Sequence, residues 1–399
     1  RKMKDSGIEW IGEIPEGWEV VPVRSCFDEV RTKNTDGQEQ NALQFKSGNI
    51  ISKANFNTNI DDYVADTITN YTVVLPDTIM INGLNLNYDF KSLRVALVKE
   101  KGVITSAYLA IFPDREKIFP QYATYLFKGY ETKMAFHNMG AGIRKTLGYK
   151  EFKNQPLLLP SEKEQNKISA YLDSKCSHID IMLSKIRSSI EEYKKLKQAV
   201  ITQAVTKGVR GKREMKDSGV EWIGEIPAEW SIAKAKYYVT ITHGSDPKTE
   251  GSIPVYGSGA ESFKTCGEYK EGPTVLIGRK GATLHIPHYI EGKYWNVDTA
   301  FDVKAKNNFS LPYYYYLATS FDYKFYIAQT TLPGMTQSNY YNMFLPLPTF
   351  PEQEEIVNYL DAKCAEIDGL IAKKEQLVRE LESYKKSLIY EVVTGKREV

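Results

Sequence analysis

Four small groups of residues have types and spacings that could do chemistry. His285-x-x-His288 has the ligands of a metal site. Pro287 keeps the two histidines off one helical face, no third ligand is near in sequence, and zinc needs three or four ligands, so no metal is expected. Pro113-Asp114-x-Glu116-Lys117 has the carboxylates of a nuclease cluster but no Glu-x-Lys strand, and reads as a polar turn. Gly140-Ala141-Gly142 and Gly257-Ser258-Gly259 are glycine loops. Neither sits between a strand and a helix, as a dinucleotide or S-adenosylmethionine site requires. There is no Gly-x4-Gly-Lys-Ser/Thr phosphate loop and no Asn-Pro-Pro-Tyr-like run. No catalytic residue is assigned, and the chain reads as non-catalytic.

Binding chemistry is better represented. Residues 136–146 combine aromatic, amide, glycine and basic side chains, among them Asn138, Arg144 and Lys145. Residues 330–340 hold a second cluster of amide, hydroxyl, glycine and aromatic residues, with Thr336, Gln337 and Asn339. Gly278-Arg279-Lys280-Gly281 is a further loop, and Asn82–Lys91 with Arg94 is its rough counterpart. Glycine loops with these side chains can bring backbone amides to phosphate and donors and acceptors to base edges. Any one of them could equally be a solvated turn. Their occurrence in two similar settings favours DNA contact through Asn138, Arg144, Lys145, Arg279, Lys280, Thr336, Gln337 and Asn339.

Those settings come from an internal repeat. Residues 1–18, RKMKDSGIEWIGEIPEGW, recur as REMKDSGVEWIGEIPAEW at 213–230, with fourteen of eighteen positions identical at an offset of 212. LPSEKEQNKISAYLDSKCSHID near 160 recurs near 348 as LPTFPEQEEIVNYLDAKCAEID, at an offset of 188. Between these blocks the two copies diverge. Asp77-Thr-Ile-Met-Ile still matches Pro273-Thr-Val-Leu-Ile, and Phe119-Pro120 is aligned with Leu311-Pro312. Similar frames with unlike inserts suggest one scaffold carrying two recognition surfaces. The C-terminal Gly395-Lys396-Arg397-Glu398-Val399 resembles the internal junction Gly211-Lys212-Arg213-Glu214-Met215, so a two-fold arrangement with adjacent termini is expected.

The repeated charged blocks are expected to be long helices. Ile168, Leu172, Ile179, Leu183 and Ile190, with Ile356, Leu360, Ile367, Ile371 and Val378 in the second copy, form heptad-like stripes. Lys374 in place of Ile186 is the one break. No proline interrupts either stretch, and Gly208 and Gly395 sit where helix stops belong. Each narrow stripe wants one partner, so the helices are expected to pair with each other over roughly 65 Å. Lys207–Lys212 reads as a short polar hinge. The inserts read as mixed α/β, with strands at 72–75, 78–81, 95–98, 109–112, 274–277 and 300–303. Helices should follow the prolines, at 121–128 and 313–321.

Composition sets the outer limits. The 399 residues are 42% hydrophobic and 26% charged, as in ordinary globular proteins. No run suits a membrane span, and no apolar segment follows the N-terminus, so neither a membrane nor a signal peptide is expected. The first residue is Arg1, so the natural chain is expected to begin upstream. Four dispersed cysteines fit a reducing cytoplasm. A net charge of +2 leaves any DNA-binding surface to local clustering.

The duplicated GxxWxGEIPxxW, the PxxxEQxxI…YLD helix starts and the AVITQAVTKG end together resemble the specificity subunit of type I restriction-modification systems over essentially the whole chain. The resemblance implies an α/β (α+β) protein with a pseudo-two-fold repeat. Two mixed α/β target recognition domains, 1–157 and 208–345, would be separated by two antiparallel spacer helices, 158–207 and 346–399. It implies a non-catalytic DNA-recognition subunit that reads a bipartite, asymmetric double-stranded site. No cofactor is expected in this chain. Two modification (methyltransferase) subunits would carry S-adenosylmethionine, and restriction/translocase subunits would carry ATP and Mg. The alternative is the recognition end of a fused restriction-methyltransferase enzyme.

Overall fold

The computed structural model describes residues 1–53, 68–91, 93–142, 145–259, 261–281, 283–306, 308–323 and 334–399. The chain forms two compact units, residues 1–185 with 377–399, and residues 186–376. Both boundaries fall inside the long helices, so the helical stretches are shared by the two units.

In the first unit the entry segment is a hairpin of β1 (Met3–Asp5) and β2 (Glu13–Pro15). Next come β3 (Glu19–Pro22), β4 (Phe27–Glu29), the hairpin of β5 (Leu43–Lys46) and β6 (Asn49–Ser52), β7 (Thr72–Val74), β8 (Ile79–Ile81), β9 (Val95–Leu97), β10 (Gly102–Ile104) and β11 (Leu109–Pro113). The order β4-β11-β8-β9 makes an antiparallel sheet. Helix α1 (Pro120–Thr132) covers it and is buried over most of its length, with Tyr122, Leu126, Phe127 and Tyr130 fully buried. Two short helices follow, α2 (Ala135–Met139) and α3 (Tyr149–Phe152). Strand β12 (Pro156–Leu159) then pairs with β3, and the first long helix, α4, runs Glu162–Lys207.

The second unit repeats the order. It has the hairpin β13 (Met215–Asp217) and β14 (Glu225–Pro227), then β15 (Ser231–Lys234) and β16 (Val239–His243). Strands β17 (Ile253–Tyr256), β18 (Lys264–Cys266) and β19 (Lys270–Glu271) lead to β20 (Thr274–Gly278), β21 (His288–Ile290), β22 (Lys293–Asn296) and β23 (Ala300–Ala305). The sheet β16-β23-β20-β21 copies that of the first unit, and a second sheet, β18-β17-β22-β19, has no four-stranded counterpart among the described residues of the first unit. Helices α5 (Leu311–Ser320) and α6 (Gln337–Asn342), strand β24 (Phe344–Leu347) paired with β15, and the second long helix α7 (Phe350–Val393) complete it.

All six strands and both helices expected in the inserts are present, with ends shifted by one or two residues except that α1 runs four residues beyond its expected end. The Thr-Ile-Met-Ile and Thr-Val-Leu-Ile runs are equivalent, because Ile79 pairs with Ile111 and Val275 with Val303. The Phe119-Pro120 alignment needs correction by one residue. Phe119 N donates to Gln165 Oε1 at 2.8 Å, and Ser310 N, not Leu311 N, donates to Gln353 Oε1 at 2.8 Å. Ser310 caps α5 with its side chain, so the helix starts one residue before its proline.

The long helices carry the stripe foreseen. Ile168, Leu172, Ile179, Leu183, Ile190, Ile356, Leu360 and Ile367 are buried. Ile371 and Val378 are only half-buried, and Val378 lies against the core of the first unit. In the second unit Tyr193 lies under the Lys374 ammonium at 5.4 Å, and Lys197 pairs with Asp368 at 2.6 Å, so α4 and α7 run antiparallel. The cation–π contact explains how a lysine is accommodated at the break in the stripe. In the first unit Lys385 pairs with Asp180 at 2.6 Å, the repeat-equivalent pair with the helices exchanged.

Each entry segment is fastened to a helix start by the same three residues. Trp18 Nε1 donates to Glu164 at 2.9 Å, and Arg1 both pairs with Glu164 and lies over the indole. Trp230 Nε1 donates to Glu352 at 3.1 Å, with Arg213 pairing to Glu352 and stacking likewise. Gly395, at φ +71°, packs so closely on Pro15 and Trp18 that a Cβ would lie 2.3 Å from Pro15. The C-terminal segment therefore meets the N-terminal one within the first unit, as the junction sequence suggested. The stretch read as a hinge is tied down: Arg210 forms a two-bond fork with Glu355, both at 2.8 Å.

Candidate nucleic-acid interface

The loop clusters picked out by composition meet in space, once in each unit. In the first unit the β8–β9 connection, residues 82–94, lies against the 140–148 loop that leads into α3. Leu147 N donates to Gly83 O at 2.9 Å, and Leu86 N to Lys145 O at 3.1 Å. Gly83 is required by that approach, since a Cβ there would sit 2.5 Å from Leu147 O. In the second unit the β20–β21 connection, residues 279–287, meets the loop before α6. Met335 N donates to Arg279 O at 2.9 Å, and Lys280 forms a bridge with Gly334. Gly83 and Arg279 are equivalent, as are Leu147 and Met335. Two loops distant in sequence are thus joined into one edge, by the same bond in both copies.

The edges differ in what they present. Lys280 and Lys145 are exposed, the latter in a strained backbone conformation at φ +33°, and Asn138 is exposed on α2. Arg279 is held by Asp298, through its carbonyl at 3.0 Å and its carboxylate at 3.5 Å. Thr336 caps α6, accepting from Asn339 N at 3.0 Å and donating to Asn339 Oδ1 at 2.7 Å. Gln337 donates to Ile241 O at 2.6 Å, fixing α6 to β16. Its equivalent in the first unit, Tyr149, donates to Phe27 O at 2.7 Å and fixes α3 to β4. Gln337 is therefore an anchor shared by both copies in different residue types. Arg144 lies outside the described residues.

Sequence reasoning placed Arg94 at the surface, and here the structure corrects it. Arg94 is 1% exposed, and its guanidinium donates to Asn82 O, Leu84 O and Asp89 O at 2.8, 2.9 and 2.6 Å. Its backbone N donates to Glu131 Oε1 at 2.6 Å. Burial raises the Glu131 carboxyl to about 7, against the opposing hydrogen bond from Arg94 and the charges of Arg94, Lys128 and Lys386.

Sequence reasoning named the loop holding Ser258 but did not assign it to the contact edge. The Ser258 hydroxyl is 3.2 Å from that of Thr283, which brings the Gly257-Ser258-Gly259 loop onto the edge of the second unit. Asp114 closes a polar turn, accepting from Glu116 N at 3.1 Å and pairing with Lys117 at 2.7 Å. His288 lies in β21 and His285 in the preceding loop. Among the described residues no three His, Cys, Asp or Glu side chains come together as a metal site, and no helix is long and apolar enough to cross a membrane.

Residues 233–379 match the family model described as the type I restriction modification DNA specificity domain. Two proteins of Methanocaldococcus jannaschii are similar over nearly the whole chain. The putative type I restriction enzyme MjaX specificity subunit is 23% identical, covering 97% of this chain and 95% of its own length. The type I restriction enzyme MjaVIII specificity subunit is 23% identical, covering 96% and 93%. Two solved structures share the fold at 15% identity. One comes from work on complex assembly and conformational transition of the type I R-M system, with TM-score 0.72 over 96% of this chain and 99% of that one. The other is the HsdS subunit from Thermoanaerobacter tengcongensis, with TM-score 0.51 over 96% and 98%.

Proposed function

The chain belongs to the specificity-subunit family of type I restriction-modification systems, and we propose that it reads a two-part DNA site, one half with each unit. It is a recognition subunit and not itself a catalyst. The observation that carries the two-part reading is the loop edge built twice with one backbone bond and unlike side chains. Equivalent frames give equivalent placement, and different side chains give different half-sites. We assign recognition to residues 1–157 and 208–345, and spacing to the helical stretches 158–207 and 346–399.

A two-fold frame offers two equivalent docking places, so two modification subunits are the fitting number. They would bring S-adenosylmethionine and the pocket for a flipped adenine. Restriction subunits would bring ATP and Mg, and the assembly would act on cellular DNA in the cytoplasm. A net charge of +2 is compatible with tight binding if the partners supply phosphate contacts. Lys280, Lys145 and Asn138 are the exposed contact candidates in this chain.

Gel-shift titration with and without modification subunits tests this reading. The complex should prefer a short bipartite sequence over random duplex. Lys280→Ala should weaken binding to all sequences and flatten the log–log salt slope by about one unit. Equal affinity of the complex for all duplexes would refute the reading.

A further inference from the structure

We propose that the 82–94 loop of the first unit reads bases through an aromatic tip, Tyr88 and Phe90, which Arg94 holds in place from inside. The proposal rests on the DNA-reading function above and gives one half-site its own chemistry. A buried guanidinium is costly unless its donors are met. The two terminal nitrogens of Arg94 meet three carbonyls of the loop, Asn82, Leu84 and Asp89, while its Nε is buried without a partner. Its backbone is held in turn by Glu131 of α1. The loop is thus braced on its inner side, and its apolar residues are kept in water on the outer one. Tyr88 is 73% exposed, Phe90 57% and Leu93 46%. Phe90 stacks on His137 at 5.1 Å with the rings 11° apart, which fixes one face and leaves the tip beside Asn138 on the same short helix.

The charge on this edge points to nucleic acid. The loop's one acid, Asp89, lies 3.5 Å from the Arg94 guanidinium. Lys91 is exposed, and Lys145 is exposed on the loop bonded to Leu86. What remains outward is aromatic and basic, the combination that stacks on bases while neutralising phosphates. The equivalent loop of the second unit, 279–287, carries Arg279 and Lys280 and no Phe, Tyr or Trp. The aromatic tip of the 82–94 loop therefore has no counterpart on the equivalent loop, and the two half-sites are read with different chemistry. Packing against bases favours steps that unstack easily, so the first half-site should contain a flexible pyrimidine–purine step at the contacted position.

The test uses the full chain assembled with its modification subunits, with methylated sites sequenced from a random duplex library. The half-site of the first unit is the one that survives exchange of residues 231–344. Tyr88→Ala and Phe90→Ala should each lower discrimination at one or two positions of that half at least ten-fold. The other half and the melting temperature should not change. Arg94→Gln should relax the same half without flattening the salt slope, because a buried guanidinium touches no phosphate. Unchanged preference in both halves with the Tyr88→Ala/Phe90→Ala double variant would overturn the proposal while leaving DNA reading intact. So would failure of that variant to assemble, which would make the tip a protein contact. A wild-type complex with no sequence preference would instead overturn the DNA reading itself.

Discussion

The two units are alike where they touch the long helices and unlike where they turn away from them. On the helix side the correspondences run residue by residue: Trp18 and Trp230 on glutamate, Gln165 and Gln353 on the strand-to-helix turn, Asp180–Lys385 and Lys197–Asp368. Tyr125 and Tyr316 likewise bond Asp173 and Asp361, at 2.7 and 2.5 Å. On the loop side the backbone bond is shared, and the short-helix anchor is made by different residue types, Tyr149 and Gln337. One copy has a buried arginine and exposed aromatic rings. The other carries Arg279 and Lys280 on the equivalent loop, beside the Gly257-Ser258-Gly259 loop, and among the described residues it has a further four-stranded sheet. Duplication preserved the placement of the edge and left its contents free to differ, as expected of a frame that positions two independent readers.

The comparison can be broken most strongly at the frame. Trp18→Ala and Trp230→Ala each remove an indole that is 1% exposed, and with it one of the two donors to Glu164 or Glu352. Each should destabilise its own unit by about 3–5 kcal/mol, by similar amounts. Urea denaturation of the single variants measures this, and a several-fold disparity between them would show that the two frames are not energetically equivalent.

A smaller effect separates the units. Glu131 titrates near 7 in the fold and near 4.5 when unfolded. The folded state therefore holds the extra proton between those values, and its stability falls as pH rises from 4.5 to 7. Glu131→Gln should remove this contribution and gain stability relative to the wild-type chain between pH 5 and pH 8. Paired denaturation curves at the two pH values measure it. A constant difference between variant and wild type would show that the carboxyl does not titrate there.

Patterns that are local or repeated were legible in the sequence. The heptad stripes, the β-branched runs and the duplicated blocks identified the long helices, the central strands and the two-copy design, because periodicity and self-similarity are properties of the chain alone. The entry hairpins were not foreseen, since neither three-residue strand has a pattern long enough to detect. The loop clusters were found by composition, but the roles within them were not. Gln337 has the residue type of a base reader, yet its amide goes to Ile241 O, a bond set by the approach of α6 to β16. Arg94 has the type of a phosphate contact, yet three carbonyls of its own loop surround it. Side-chain destination is decided by which backbone groups lack partners once the fold closes, and that is not written in spacing.

The central claim is that the two edges are separate readers on one frame. The direct measurement is sequencing of methylated sites after residues 231–344 are replaced by the second domain of another family member, in complex with the modification subunits. The account predicts two defined blocks with an unread gap for both chains, with one block changed and the other identical. A change in both blocks, or a single uninterrupted block in the wild type, would contradict it.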